Sequence, residues 1–373
     1  MDFDLSEEQR MLADSLRRFI DTRYTFDERR RIARTQDGFD HATWRALADM
    51  GVLGLTIPVA FAGFGESAAS QLVVQRELGR GLVIEPVIGC SVMGAAVLGA
   101  YGSEAQKDVW LPAIAAGERR LALAYLEPQS RYRPEAVQCT ATLQHDGYVL
   151  EGRKCLVWHG AAADAWLVSA RVSDSVALFL VPRDTAGLTL TNYPTMDRQH
   201  GADLRFAQVK LPASALVGSA SNGLGALEHG LAHGIAAQCA FAAGAMERLI
   251  EITCEYVNTR RQFGRPLAAF QALQHRLADM LVQKECALSM AYVAALALDE
   301  ADSAARRRML SGAKVVVAKA ARLVGQQAVQ LHGGMGITDE LNVGDYFKHL
   351  TMTDVLLGDT DYHVERYCAE MTA

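Results

Sequence analysis

The spacing of hydrophobic residues predicts helices in the first third of the chain. Apolar residues from Leu12 to Ile20 recur at the spacing of one helix face. Ser6 followed by Gln9 has the form of a capping box, so the first helix is predicted to begin near Glu7. Further helices are predicted over His41–Met50, Ala68–Arg80, Pro86–Tyr101 and Glu104–Ala116. We therefore expect residues 1–120 to form an N-terminal helical domain.

Short β-rich runs replace this spacing between Leu121 and Leu216. The pair Asp146–Gly147 separates two of the runs and is a strong signal for a β-hairpin. Few helical periods interrupt the region, which predicts a small antiparallel barrel or sandwich over residues 121–218. The runs are VQCTATL, YVLEGRKCLVWH, AWLVSARV, VALFLV, LTLTNY and LRFAQVKL.

The helical period returns after Gly225. One long helix is predicted to end near Thr259, and two more are predicted over Phe270–Leu298 and Ala304–Leu331. Long helices with short connections indicate a C-terminal four-helix bundle over residues 219–373. The expected fold is therefore mainly α with a central β domain.

Composition favours an ordinary soluble enzyme. The balance of 37 basic against 43 acidic residues gives a net charge of −6, which disfavours a nucleic-acid binder. Seven scattered cysteines without a C-x-x-C pair disfavour a disulfide scaffold and a metal site. The acidic opening MDFDLSEEQR is unlike a signal peptide, so we expect a cytoplasmic protein. Glu85 and Pro86 interrupt the apolar run Gly81–Ala100, which predicts a buried helix and no membrane span.

Two segments carry candidate chemistry. TRRQFGRP, Thr259–Pro266, places three arginines at a predicted helix C-terminus, where they either offset the helix dipole or bind phosphate. QLHGGMGITDE, Gln330–Glu340, is rich in glycine and either turns the chain or binds an anion through backbone N–H groups. It follows no predicted strand, so it is not the dinucleotide-binding G-x-G-x-x-G motif.

Together the two segments resemble the acyl-CoA dehydrogenase family. RRQFGRPLAAFQALQHRLADM, Arg260–Met280, and QLHGGMGITDE are similar to two signatures of that family, in the same order and at a similar separation. The MDFDLSEEQR opening, the helix–β–helix order and the length agree as well. The resemblance covers essentially the whole chain.

The resemblance implies an FAD-dependent enzyme that oxidises an acyl-CoA and passes electrons to an electron-transfer flavoprotein. It implies a homotetramer, or a heteromer with a second acyl-CoA dehydrogenase chain, with FAD at a subunit boundary. The segments YLEPQSRY and KCLVWHG would contact the flavin ring, and the bundle segments would contact the FAD pyrophosphate and adenosine. The implied cofactor residues are Arg260, Phe263, Gln271, Gln330, Gly333, Gly334, Tyr125, Glu127, Trp158 and His159.

The second flavin segment departs from the family pattern. Leu156 and Trp158 stand where the family has a tryptophan and then a threonine whose hydroxyl approaches the flavin. Packing within the strand is the alternative interpretation of Trp158 and His159.

The catalytic base is also missing. The family removes the substrate α-proton with a glutamate, and its two usual positions fall on Leu357 and Gly234 here. No carboxylate occurs between His229 and Met246. Asp359 is the candidate nearest to the C-terminal position, and a helix cap or turn is its alternative role.

Within the family, the segments resemble most closely the small subunit of pimeloyl-CoA dehydrogenase. That branch is often built from two different chains, one of which can lack the base. Three hypotheses follow: a subunit of a heteromeric dehydrogenase, an active homotetramer that uses a base such as Asp359, or a non-catalytic subunit that binds flavin or acyl-CoA. For the first hypothesis, the expected substrate is a CoA thioester of a dicarboxylic or bulky acid.

Overall fold

The computed structural model describes residues 5–372 and contains two compact units. The sheet unit comprises Arg31–Ser67 and Ile84–Gly234. The bundle unit comprises Ala68–Val83 and the described parts of Met1–Arg30 and Ile235–Ala373. Both units therefore take helices from the first third of the chain.

The first third of the chain is helical, as predicted. Its helices are α1 (Glu7–Arg23), α2 (Phe26–Ile32), α3 (His41–Asp49), α4 (Ala68–Arg80), α5 (Gly94–Tyr101) and α6 (Glu104–Ala115). The capping box of α1 is confirmed, because Ser6 Oγ accepts a hydrogen bond from the Gln9 backbone N–H at 3.2 Å and Gln9 Oε1 accepts one from the Ser6 backbone N–H at 3.1 Å. The prediction did not include α2, whose seven residues are too few to show a hydrophobic period.

The segment Pro86–Tyr101 is not one α-helix, as predicted, but a π-helical stretch over Val87–Met93 followed by α5. All seven residues of the π-helical stretch are buried, so the predicted burial is confirmed. Its Gly89 lies against the side chain of His159, where a Cβ atom would come within 2.7 Å of Nδ1. A residue larger than glycine would displace the imidazole.

The middle of the chain forms the predicted β domain. Its strands are β1 (Leu121–Ala124), β2 (Thr140–Gln144), β3 (Gly147–Trp158), β4 (Ala165–Val172), β5 (Ser175–Pro182), β6 (Leu188–Pro194), β7 (His200–Pro212) and β8 (Leu216–Val217). They make one eight-stranded sheet in the order β6-β7-β3-β2-β4-β5-β8, with β1 beside β4. The predicted hairpin joins β2 to β3, with Gln144 opposite Gly147. Most strand pairs are antiparallel, as predicted, whereas β4 departs from the prediction and pairs in parallel with β1 and β2.

The last part of the chain is the predicted helical bundle. Its helices are α7 (Gly223–Thr259), α8 (Gln271–Leu296), α9 (Ser303–His332), α10 (Val343–Val355) and α11 (Thr360–Thr372), and a short hairpin of β9 (Arg261–Gln262) and β10 (Arg265–Pro266) follows α7. Within the bundle unit, α9 packs against α8, α10 and α11.

Two glycines allow α4 and α7 to cross closely in the bundle unit. A Cβ atom on Gly79 would lie 1.9 Å from the Phe241 carbonyl oxygen, and one on Gly244 would lie 1.9 Å from the Arg76 carbonyl oxygen. Ion pairs flank the crossing, with Arg76 bound to Glu247 at 2.7 Å.

One helix in the described part of the chain, Gln271–Asp299, is long and apolar enough to cross a membrane by length and composition. Only 33% of its most apolar window is buried. A core or interface helix of a globular protein passes the same test, so the finding carries little weight.

Candidate cofactor site and the position of the base

The ends of α7 and α9 lie side by side in the bundle unit. The rings of Tyr256 and His332 stack with centroids 4.3 Å apart, and the Tyr256 hydroxyl donates to the His332 carbonyl at 3.3 Å. Arg260 follows one turn after Tyr256 and donates its N–H to the Tyr256 carbonyl at 2.8 Å. The two segments singled out in the sequence are therefore neighbours.

The arginine segment forms an exposed hairpin. Phe263 and Gly264 form its turn with positive φ angles of 52° and 78°, and the Phe263 ring is 90% exposed. Arg265 lies over the Phe270 ring at 4.0 Å, whereas Arg260 faces solvent. The planar guanidinium of Arg265 beside the half-buried ring of Phe270 suits the binding of a phosphate.

The glycine loop is open to solvent. Gly333 ends α9 with φ of 59°, a conformation that glycine adopts without strain. No atom lies within 4 Å of a Cβ built on Gly333 or Gly334, so a ligand can approach the backbone there. Gln271 and Gln330 are exposed as well. The loop thus ends a helix, as the turn alternative predicted, and it also exposes its backbone to solvent.

His332 stays neutral below this loop. Its Nδ1 bonds to the Ala328 carbonyl at 2.8 Å, and no described residue forms a hydrogen bond with Nε2. Burial lowers the pKa of His332. The positive charge near the loop therefore comes from arginines.

In the sheet unit, β3 is distorted where the second flavin segment was predicted. Its pairing with β7 shifts register between Lys154 and Val157, and Leu156 has φ of 48°. The Leu156 N–H donates to Tyr193 Oη at 3.1 Å and to Asp203 Oδ1 at 3.2 Å. The distortion leaves the Leu156 side chain 53% exposed.

Trp158 and His159 end the distorted strand. Their rings stack with centroids 4.6 Å apart. The Trp158 indole N–H donates to Gln199 Oε1 at 2.6 Å, which fixes the orientation of the indole. His159 has φ of 57° and is buried, and its N–H donates to the His200 carbonyl at 3.1 Å. Packing within the β domain therefore explains part of the arrangement of Trp158 and His159, as the alternative interpretation proposed.

Tyr125 and Glu127, from the first flavin segment, are both buried. The Glu127 carboxylate faces the interior of the sheet unit and binds Lys154 Nζ at 2.6 Å. Glu127 therefore supports the segment from within, and its carboxylate does not face solvent.

The two expected positions of the base hold apolar residues in the structure as well. Leu357 is 8% exposed, with φ of 60°, and its carbonyl bonds to His363 Nε2 at 3.0 Å. Gly234 is buried within α7. Asp359 Oδ1 accepts the Tyr362 N–H at 2.9 Å, so this carboxylate caps α11. The helix-cap alternative for Asp359 is thus observed, and its role as a base stays a prediction.

The donor groups of the bundle unit fit the dinucleotide part of FAD. Arg260 can bind pyrophosphate oxygens, and the backbone of Gly333 and Gly334 lies at an open surface, although the Gly333 N–H already donates to the Gln330 carbonyl. The half-buried Trp158 in the sheet unit offers an aromatic face to a flavin ring, without the hydroxyl usual in the family. FAD, when bound, accepts the hydride from the substrate.

Three further residues support the flavin segments and the loop at the expected base position, but they were not predicted as site residues. They are Lys154, Gln199 and Lys314. All three are buried, and their partners are Glu127, Trp158 and the segment before α11. A lysine within an apolar strand or helix is the signal that was available for Lys154 and Lys314. No signal in the sequence marked Gln199.

The chain therefore contains helical segments, a central sheet, and exposed arginine and glycine segments at the ends of α7 and α9. Three family models match the chain: the acyl-CoA dehydrogenase N-terminal domain over 6–118, the middle domain over 122–209 and the C-terminal domain over 221–371. The chain belongs to the acyl-CoA dehydrogenase family, whose members use FAD.

Similar proteins support this membership over the full length. Acyl-CoA dehydrogenase FadE27 of Mycobacterium tuberculosis is 30% identical over 100% of this chain and 99% of its own. The ChsE4–ChsE5 complex of M. tuberculosis contains a chain with a TM-score of 0.91 and 27% identity, covering 100% of this chain and 99% of that one. The steroid acyl-CoA dehydrogenase Tcur3481–Tcur3483 gives a TM-score of 0.90 and 28% identity, with 98% of each chain covered.

Proposed function

We propose that this chain is the base-lacking subunit of a heteromeric FAD-dependent acyl-CoA dehydrogenase. The observation that carries the proposal is the structure around Leu357. A buried leucine occupies the expected base position, and the carboxylate nearest to it in the sequence, on Asp359, caps a helix. A base must lie within hydrogen-bond reach of the proton that it removes. A second acyl-CoA dehydrogenase chain would supply it.

Exposed apolar surface supports an oligomer. In the bundle unit, Leu281 and Val282 of α8 are 48% and 57% exposed, and Ile337 in the glycine loop is 80% exposed. Apolar side chains grouped on one helix mark a surface that a partner chain covers. Two similar structures, ChsE4–ChsE5 and Tcur3481–Tcur3483, carry the names of paired chains, which also favours a heteromer.

In this assembly, the exposed bundle residues contact the FAD pyrophosphate and adenosine. They are Arg260, Phe263, Gln271, Gln330, Gly333 and Gly334. Trp158 and His159 orient the flavin ring, and Tyr125 and Glu127 support them from the interior. The acyl-CoA substrate carries a dicarboxylic or bulky acyl group, as in the pimeloyl-CoA dehydrogenase branch. The electron acceptor is an electron-transfer flavoprotein, and the protein is located in the cytoplasm. Residues 1–120, 121–218 and 219–373 form three domains.

Two other functions are kept as alternatives. A homotetramer that uses Asp359 as an unusual base would act alone, and a non-catalytic subunit would bind flavin or acyl-CoA without turnover. The hydrogen bond from Tyr362 to Asp359 disfavours the first, because a cap keeps the carboxylate at the helix end.

Absorbance of the purified chain, alone and with a co-expressed partner, tests the proposal. We expect a chain that is colourless alone and yellow with its partner, and whose complex bleaches when acyl-CoA is added. A chain that is yellow alone and bleaches with acyl-CoA would contradict the need for a partner. A chain that holds no flavin in either setting would leave only the non-catalytic alternative.

A further inference from the structure

A buried ion pair lies beneath the predicted flavin segments in the sheet unit. Lys154 is 0% exposed, and its Nζ donates to Glu127 Oε1 at 2.6 Å, to Ser169 Oγ at 2.9 Å and to the Tyr125 carbonyl at 3.4 Å. The three ammonium hydrogens therefore each have an acceptor. Burial lowers the pKa of Lys154.

Glu127 completes the cluster from the other side. Its Oε2 accepts the Gln138 N–H at 2.8 Å, and its Oε1 accepts the Cys139 N–H at 3.1 Å as well as the Lys154 ammonium. The stretch from Tyr125 to Cys139 lies in no helix or strand. Glu127, near the start of this stretch, therefore binds the backbone at the end of the same stretch.

The cluster joins the two predicted flavin segments. The Cys155 N–H, next to Lys154, donates to the Leu126 carbonyl at 2.9 Å, next to Glu127. The distortion of β3 begins immediately after Lys154, and Trp158 follows four residues later. Lys154 is therefore the last regularly paired residue before the distortion that precedes Trp158.

Stability alone does not account for this pair. Replacing a buried ion pair by apolar residues of similar volume is often neutral or stabilising. A buried pair instead restricts the geometry of the groups that satisfy it. Here those groups are the backbone of one flavin segment and the start of the other.

We propose that Lys154 and Glu127 are positioning residues for FAD: their buried ion pair holds the segments Tyr125–Tyr132 and Lys154–Gly160 in one fixed arrangement. Neither side chain contacts the cofactor through its charge. The inference rests on the proposed function, because it assumes that these segments contact the flavin ring.

The test compares FAD binding with folding in one series of variants. The chain is purified with its co-expressed partner and freed of flavin, and FAD is titrated while flavin fluorescence is recorded. The double variant Lys154→Met/Glu127→Gln removes both charges and keeps one side-chain oxygen, which can accept from one of the two N–H groups of Gln138 and Cys139. We expect its Kd for FAD to rise at least ten-fold and its bound flavin spectrum to change, whereas a control variant with a similar fall in melting temperature binds FAD as the wild type does.

Two further variants separate positioning from general stability. Phe179→Leu changes a buried β5 residue that belongs to neither flavin segment, and it should lower the melting temperature without changing the Kd for FAD. Ser169→Ala removes one acceptor of Lys154 and should raise the Kd by a few fold. If the double variant does not fold, the Kd of Ser169→Ala for FAD tests the positioning role instead.

The outcomes distinguish this inference from the proposed function. Wild-type-like FAD binding by the double variant, or by Ser169→Ala when the double variant does not fold, would overturn the positioning role alone. A Phe179→Leu variant that loses FAD in proportion to its stability would do the same. A wild-type complex that never takes up FAD would overturn both proposals.

Discussion

Lys314 Nζ donates a 2.7 Å hydrogen bond to the carbonyl of Gly358, in the loop that follows α10. The same ammonium binds the carbonyls of Thr353 at 2.7 Å and Asp354 at 3.3 Å. His363 binds the Leu357 carbonyl from the opposite end of the loop. The loop at the expected base position is therefore held from the interior of the bundle unit.

Replacing Lys314 should loosen this loop. Lys314→Met leaves three carbonyl groups without their donor, and each buried unsatisfied group costs about 1–3 kcal/mol. We expect a melting temperature several degrees lower and faster hydrogen exchange over residues 353–359. Lys319→Met, at an exposed position of α9, is the matched control and should change neither quantity. Unchanged exchange in Lys314→Met would show that the hydrogen bonds do not hold the loop.

Variants of Asp359 distinguish a helix cap from a base. Asparagine caps a helix about as well as aspartate, whereas alanine costs about 0.5–2 kcal/mol. We therefore expect Asp359→Asn to keep both the stability and the turnover of the complex, and Asp359→Ala to lose stability. Thermal melts and flavin bleaching by acyl-CoA measure the two properties. A stable Asp359→Asn complex without turnover would support the homotetramer with an unusual base.

The positions of the helices could be predicted from local sequence, whereas the buried contacts beneath the candidate site could not. The bounds of α4 were predicted without error, because its apolar spacing and its flanking glycines are local features. The ion pair of Glu127 with Lys154 joins residues 27 positions apart, and neither residue shows its partner in the sequence. The parallel pairing of β4 is likewise a property of the assembled sheet, since each strand alone fits either direction.

The exposure of the arginine and glycine segments was also beyond local patterns. Their adjacency depends on the contact between Tyr256 and His332, two residues that no periodicity connects. The resemblance to a family, and not residue spacing, predicted that they would meet. By contrast, the role of Asp359 as a cap was foreseen as an alternative because Gly-Asp pairs favour turns and caps.

Introducing a carboxylate at Leu357 tests whether a base is what this chain lacks. We expect Leu357→Glu, in complex with a partner chain whose own base is replaced by glutamine, to bleach slowly with an acyl-CoA under conditions in which the same complex with Leu357 does not. The variant should also be less stable by about 2–5 kcal/mol, because a buried leucine is lost. Leu357→Gln is the matched control, with similar size and no base. Equal bleaching by the two variants would exclude proton removal by the new carboxylate.

His233 should make the protein sensitive to mild acid. Burial lowers the pKa of His233 from 6.5 to about 3, and the nearby His229 contributes in the same direction. Between these values the unfolded chain binds a proton at His233 and the folded chain does not. Unfolding then takes up a proton, so the free energy of unfolding falls as pH decreases, by at most about 1.4 kcal/mol per pH unit.

Urea unfolding at pH 7, 6 and 5 measures this dependence. His233→Gln removes the titrating group, so we expect its stability to fall less steeply with pH than that of the wild type. His363, whose pKa burial also lowers to about 3, is present in both proteins and does not affect the difference. His275→Gln, at an exposed position of α8, is the control and should follow the wild-type slope. If His233→Gln has the wild-type slope as well, His233 takes up its proton equally in the folded and unfolded chain.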